Sequence, residues 1–407
     1  MKLLLDLRPL RSSRAFRRLW FAQMVSFVGS EVSLVAIAYQ VYALTGSTVD
    51  VGLVSLAQFV PLLTLTIVGG AFADTFDRRR LMLLQQSGMI VGSSIAVANA
   101  FLAHPRVWPL FVSVVVTFCA YSFGVSAQNA LLPRIVADDE IVAANNLNGL
   151  IGNLGAVAGP ALAGGLIATT GVGVAYVVDT VTFFATLLAV ALLPSFARGA
   201  DDERPSVRSI VDGFRFVRRQ PVIFGFMLVD TNAMFFGMPT ALFPAIATHR
   251  FHHPSYVGYL FSAMSAGALV GSAFGGWTSH VRRQGVVVIA AAAAWGLAVM
   301  AFAFATQFWL ALLVLAIGGG ADLISAVLRS TMLIRLTPDS LLGRLFGIEF
   351  AQVTSAPALG NLKMGALASL TSIRFSLASG GAAVVAGCAV LALACPALVR
   401  YDAHQRA

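Results

Sequence analysis

The sequence predicts an all-α polytopic membrane protein in which twelve transmembrane helices form two pseudo-symmetric six-helix bundles. The chain of 407 residues is 58% hydrophobic and 11% charged, whereas a soluble domain carries roughly 25% charged residues. Twelve apolar stretches are long enough for a spanning helix, which needs about 20 residues. Basic residues gather in every second gap between these stretches, an alternation that a soluble protein has no reason to show.

The basic residues also predict the orientation. The two terminal tails and the even-numbered gaps hold 22 of the 27 Lys and Arg residues, and the odd-numbered gaps hold three, Arg106, Arg250 and Arg374. Arg329 and Lys363 lie within spans. Because basic residues stay on the cytoplasmic side of a bilayer, both termini are expected in the cytoplasm of a bacterial inner membrane. The net charge of +9 is then an orientation signal rather than a sign of nucleic-acid binding.

The expected spans follow one another with short polar gaps. They cover residues 19–44, 50–73, 81–103, 109–133, 141–168, 173–195, 221–246, 256–279, 286–304, 308–333, 345–368 and 375–399. The polar stretch after span 6 divides the chain into an N-terminal bundle (1–195), a cytoplasmic linker (196–220) and a C-terminal bundle (221–407). Two six-helix halves around a central site are the plan of many secondary transporters.

A charged loop follows span 2. Asp74 precedes the basic pair Arg78 and Arg79, and the arrangement resembles the Gly-x-x-x-Asp-(Arg)-x-Gly-Arg-(Arg/Lys) loop of the major facilitator superfamily. Thr75 and Asp77 depart from that pattern. An acid here favours the positive end of a helix dipole, so the loop is expected to latch the cytoplasmic side. A solvated charged turn is the simpler alternative.

Span 5 carries a run of small residues around a proline. The members are Gly155, Gly159, Pro160, Gly164 and Gly165. The run is similar to the antiporter motif of the same superfamily, with one extra residue before Gly164. That resemblance implies an exporter, while ordinary close packing of small residues explains the same glycines.

The resemblance extends over nearly the whole chain and narrows to the enterobactin-exporter branch, which is related to drug:proton antiporters. The segments that carry it are 16–20, 42–47, 73–80, 214–221, 320–325 and 337–339. It implies a proton-driven exporter of a drug or siderophore-like amphiphile. It does not choose among those substrates.

Acids within spans are the functional candidates, because an ionised group at the centre of a membrane helix costs roughly 2.5–3.5 kcal/mol on insertion scales. Glu31 lies at the middle of span 1 and is expected to bind protons; a purely structural carboxyl is the alternative. Asp230 and Asp322 are further candidates for proton coupling or the substrate cavity. Asp179 is expected to have a structural hydrogen bond.

Arg329 and Glu349 are expected to form a gate. Asp322 and Arg329 are seven residues apart in span 10, which separates them by about 10 Å along the helix. They therefore need partners on other helices, and Glu349 is the expected partner of Arg329.

The sequence points away from an enzyme. It has no phosphate-binding Gly-x-x-x-x-Gly-Lys-Ser/Thr loop, and no metal site or cofactor is expected. The expected partners are a small molecule, protons and lipid, without nucleic acid, and the expected state is a monomer. Proton-coupled uptake, and a membrane receptor or assembly partner that does not transport, remain alternatives.

Overall fold

The computed structural model describes residues 6–75, 77–193 and 207–403, and helices are its only regular elements there. The sixteen α-helices are α1 (Arg8–Ser12), α2 (Arg14–Thr45), α3 (Thr48–Thr75), α4 (Arg78–Ala100), α5 (Trp108–Ile135), α6 (Ile141–Thr169), α7 (Val172–Ala191), α8 (Val207–Arg219), α9 (Pro221–Gly237), α10 (Phe243–His249), α11 (Tyr256–Phe274), α12 (Gln284–Phe304), α13 (Phe308–Leu336), α14 (Asp339–Leu370), α15 (Ile373–Ala394) and α16 (Pro396–Val399). Three short 3₁₀ helices lie at Asp138–Glu140, Thr240–Leu242 and Gly275–His280.

Local sequence signals set many of the helix ends. Gly46 and Gly171 separate consecutive long helices and have positive φ angles of 66° and 84°, which glycine adopts without a steric penalty. Helices α5 and α9 have a proline in their first turn, where a missing N–H costs little. The Ser372 side chain accepts a hydrogen bond of 3.1 Å from the Phe375 N–H at the start of α15.

Ten helical segments of the described residues are long and apolar enough to cross a membrane. Helices α11 and α14 match the two remaining expected spans, 256–279 and 345–368. The predicted all-α polytopic fold is therefore confirmed. The expected linker 196–220 lies partly outside the described residues, and its second half forms α8.

Span 7 is the clearest difference from the expected continuous helix over 221–246. Helix α9 ends at Gly237, Met238 is extended, and a 3₁₀ turn leads into α10. Pro239 explains the break, because proline has no N–H and disfavours the helical conformation of the preceding residue. The last expected span, 375–399, is likewise divided at Pro396.

The chain divides into two compact units. In the first unit, α2 packs on α6 and α7, while α4 packs on α5 and α7. In the second unit, α9 packs on α14 and α15, while α12 packs on α13 and α15. Helices at corresponding places in the two halves thus make corresponding pairs, as expected for two pseudo-symmetric six-helix bundles.

The start of α3 is an exception to a simple division in sequence. Residues Gly46–Leu56 group with the second unit, although the rest of α3 groups with the first. The predicted boundary at 195/196 does not anticipate this assignment.

Candidate functional site

The first unit contains a cavity of about 220 Å³ between α2, α4, α5 and α7. Its wall is mostly apolar, with aromatic and aliphatic side chains and a few hydroxyl groups. Its lining includes Phe27, Ser30, Glu31, Ser93, Phe118 and Asp179. The cavity has the character of a ligand pocket, which is typically apolar with a small number of placed polar groups.

Glu31 projects into this cavity from the middle of α2. It has no hydrogen-bond or ion-pair partner among the described residues. Its carboxylate faces the cavity. An ionised carboxyl that is half-buried beside an apolar cavity is costly unless it carries a proton or meets a cation. Glu31 is therefore free to bind either.

Asp179 of α7 lines the same cavity and is only 3% exposed. Its carboxylate accepts hydrogen bonds from Ser93 at 3.3 Å and from Ser30 at 3.5 Å. The Ser93 hydroxyl also lies 2.7 Å from the Thr180 hydroxyl. These hydroxyls stabilise the Asp179 carboxylate in its place, which agrees with a structural hydrogen bond but also puts a second acid in the cavity wall.

The glycines of α6 pack against the helix that carries Glu31. A Cβ atom at Gly159 would meet the Glu31 side chain and, at 2.9 Å, the Val28 carbonyl oxygen. A Cβ atom at Gly155 would meet the Phe27 ring. Because these glycines let α6 approach α2, they fix the position of Glu31 in the cavity wall.

The other members of this run behave differently. Pro160 and Gly164 are buried in the first unit, while a Cβ atom at Gly165 would meet nothing within 4 Å. Close packing on α2 thus accounts for part of the run.

The charged loop after span 2 is described in part. The side chain of Asp74 lies outside the described residues, so the expected latch stays a prediction. Asp77 caps α4 by accepting a hydrogen bond of 2.8 Å from the Arg79 N–H. The Arg79 guanidinium donates to the Ala191 carbonyl at the end of α7. Arg78 is the first residue of α4.

The second unit holds a buried ionic cluster. Arg329 of α13 forms an ion pair with Asp230 of α9 and donates a weaker bond of 3.4 Å to Ser325. Gln352 of α14 donates to the second Asp230 oxygen at 3.0 Å and to the Met227 carbonyl at 2.9 Å. Three helices are therefore joined at one carboxylate.

Asp322 and Glu349 lie within electrostatic range of both Arg329 and Asp230. Glu349, the expected partner of Arg329, forms no ion pair with it; Asp230 takes that place. Asp230 is the partner of Arg329 because α9 packs closely on α14 and brings Asp230 between Arg329 and Gln352. The cluster contains three acids and one base.

Asn361 of α14 is a site residue that the sequence analysis missed. Its side-chain oxygen accepts hydrogen bonds from the Thr240 hydroxyl at 2.8 Å and the Ala241 N–H at 3.1 Å. Its amide donates to the Ser55 hydroxyl at 3.1 Å. A lone Asn in an apolar span, next to the proline-induced break in span 7, was the available signal.

The start of α3 packs tightly on α14 near Asn361. The Thr48 hydroxyl donates to the Gly365 carbonyl at 2.8 Å. A Cβ atom at Gly52 would lie 2.8 Å from the Leu362 Cα. The second unit therefore holds residues Gly46–Leu56 by hydrogen bonds and by a close backbone approach.

Comparison with known proteins gives the context of these sites. The model of the transmembrane secretion effector family matches residues 6–406. The chain is 30% identical to the enterobactin exporter EntS of Shigella boydii serotype 18 over 95% of this chain and 94% of that protein. The same values hold for EntS of Escherichia coli O81.

A solved structure shares the fold. The crystal structure of the nucleoside transporter NupG matches 95% of this chain and 100% of that chain, with a TM-score of 0.73 and 13% sequence identity. At this identity the likeness concerns the fold alone. With the family match over nearly the whole length, these findings identify the chain as a membrane transporter rather than an enzyme, and it belongs to the transmembrane secretion effector family of the major facilitator superfamily.

Proposed function

We propose that this transporter exports a small amphiphilic molecule, drug-like or siderophore-like, across the bacterial inner membrane in exchange for protons. The observation that carries the proposal is Glu31, an acid in the cavity of the first unit with no partner among the described residues. The relatives named as enterobactin exporters support the direction of transport and an amphiphilic substrate.

Proton coupling is assigned to three acids. Glu31 exchanges its proton in the first unit. Asp230 and Asp322 change the net charge of the second unit when they gain or lose a proton. Arg329 forms an ion pair with Asp230 and lies within electrostatic range of Asp322. A change in the protonation of Asp322 would alter how strongly Arg329 is held by Asp230, and so would change the packing of α9 on α13 and α14.

Alternating access is assigned to the ends of the spans. Asp74, Arg78 and Arg79 form the cytoplasmic latch of the first half. Arg329 and Glu349 take part in gating the second half. On the other side, Gly46–Leu56 leaves its place on α14 when the outer entrance opens. Support comes from the division of α3, whose first residues group with the second unit while the rest groups with the first. The protein acts as a monomer with both termini in the cytoplasm, without a nucleic-acid partner.

Inverted membrane vesicles test the proposal. Dyes, antibiotics and catecholates are screened for uptake driven by an imposed inside-acid pH gradient, with the wild type compared with Glu31→Gln and Asp322→Asn. Asp139→Asn is the matched control, because Asp139 is an exposed acid outside the membrane spans. We expect uptake by the wild type and the control, and at least a tenfold loss in Glu31→Gln.

Two outcomes contradict the proposal. Flux that survives both collapse of the pH gradient and both substitutions would exclude proton coupling through these acids. Movement of substrate out of inverted vesicles under the same gradient would mean uptake by the cell rather than export.

A further inference from the structure

We propose that the cavity of the first unit binds a lipophilic cation, with its positive charge between Glu31 and Asp179 and its apolar groups against the aromatic and aliphatic wall. This inference rests on the proposed exchange function and names the class of substrate for that site. It differs from the substrate class that the relatives' names suggest, because a catecholate anion would meet two acids here.

The charge of the wall selects a cation. Two carboxylates line the cavity, and no Lys, Arg or His lines it among the described residues. An anion would lie against like charges in a medium of low dielectric constant, where repulsion is poorly screened. A cation would instead compensate Glu31, a carboxylate with no partner in the part of the chain that the structure describes.

The apolar wall selects a lipophilic body. Phe27 and Leu34 line the cavity from α2, Met89 from α4, and Phe118 from α5. Aromatic faces attract cations through their ring quadrupole, most strongly where water is excluded. An inorganic cation would leave this apolar surface without a contact, so an organic cation with hydrocarbon or aromatic groups fits better.

The two acids have different surroundings and therefore different roles. Serine hydroxyls donate to Asp179, and donors of this kind stabilise a carboxylate in its ionised form. Glu31 has no such donors among the described residues. In this proposal Asp179, which the serine hydroxyls hold in place, carries the fixed negative charge, and Glu31 exchanges its proton.

The charge balance gives a stoichiometry. With a proton on Glu31, the two acids have a net charge of −1. When a monovalent cation enters and the Glu31 proton leaves to the solvent, the two carboxylates and the cation again sum to −1. One proton therefore exchanges for one cation, and the charge of the low-dielectric cavity stays constant.

Other groups around Glu31 do not change this balance. The neighbouring lining of α4 is uncharged, α5 contributes the Tyr121 phenol, and α7 contributes Asp179. Helix α6 contributes Gly159, which has no side chain. Asp179 and Tyr121 are therefore the titratable neighbours of Glu31 in this wall.

The test is equilibrium binding to the purified full-length protein in lipid nanodiscs, without any gradient. The probes are tetraphenylphosphonium and tetraphenylborate, which have nearly the same shape and opposite charges. We expect saturable binding of the cation alone, weakened about tenfold for each pH unit below the range in which Glu31 loses its proton. Glu31→Gln and Asp179→Asn should each weaken cation binding at least tenfold, while Asp139→Asn should bind as the wild type does.

Equal binding of the two probes, binding that does not depend on pH, or undiminished binding by a folded Glu31→Gln protein would each overturn the proposal. If Glu31→Gln does not fold, Glu31→Asp keeps the charge and should retain the preference for the cation; a loss of that preference would contradict the proposal. Cation binding without gradient-driven flux in vesicles would support this assignment of the ligand while refuting the proposed antiport.

Discussion

The buried ion pair between Arg329 and Asp230 allows a quantitative test of the second unit. Arg329 is within range of three carboxylates: Asp230, Asp322 and Glu349. Arg329→Met leaves these acids near one another without their cation, and breaking a buried pair in this way costs about 3–5 kcal/mol. Asp230→Asn leaves Arg329 with two other carboxylates in range, so its cost should be that of one charged hydrogen bond, roughly 1.5–3 kcal/mol.

Thermal unfolding of the purified full-length variants in detergent, followed by tryptophan fluorescence, measures this asymmetry. We expect Arg329→Met to unfold at a lower temperature than Asp230→Asn. Adding Asp322→Asn to Arg329→Met should recover part of the loss, because it removes one uncompensated acid. The reasoning is refuted if Asp230→Asn is at least as destabilising as Arg329→Met, or if the second substitution recovers nothing.

Three further predictions concern packing and capping. Gly159→Val should displace α2 and reduce transport at least tenfold, whereas Gly149→Val on the same helix, where a Cβ atom meets nothing within 4 Å, should transport normally in vesicle assays. Asn361→Ala removes three hydrogen bonds and should cost about 3 kcal/mol in thermal unfolding, against about 1 kcal/mol for Ser55→Ala, which removes one; equal losses would contradict the bridging role. Asp77→Ala should lower stability by about 1 kcal/mol and Asp77→Gly by a few tenths, since glycine is tolerated at an N-cap; a larger loss for Gly would oppose this reading.

The fold could be predicted from local features of the sequence. Hydrocarbon thickness fixes the length of a spanning helix, so the apolar stretches predict the spans and the basic gaps predict their orientation. The break in span 7 was missed although Pro239 is visible in the sequence. A proline within a span can kink a helix or end it, and the hydrogen bond from the Ala241 N–H to Asn361 stabilises the ended form here.

The types of residue in the candidate site could be predicted from the sequence, but the partner that each residue contacts could not. Glu31 stands out because a carboxyl in mid-membrane is expensive. By contrast, Arg329 and its partner Asp230 are 99 positions apart in the chain, and the packing of α9 on α13 and α14 decides the pairing. The sequence predicts only a structural hydrogen bond for Asp179. That Asp179 shares a cavity with Glu31 depends on how α7 packs on α2, which the sequence alone does not show.

We propose that transport by this protein depends on Glu31 giving up a proton when the ligand enters. The most direct measurement is proton release in weakly buffered solution when tetraphenylphosphonium is added to the purified protein, followed with a pH-sensitive dye. We predict about one proton released for each cation bound, and none from Glu31→Gln at the same ligand concentration. Saturable binding by the wild type with no proton released, or equal release from Glu31→Gln, would contradict the account.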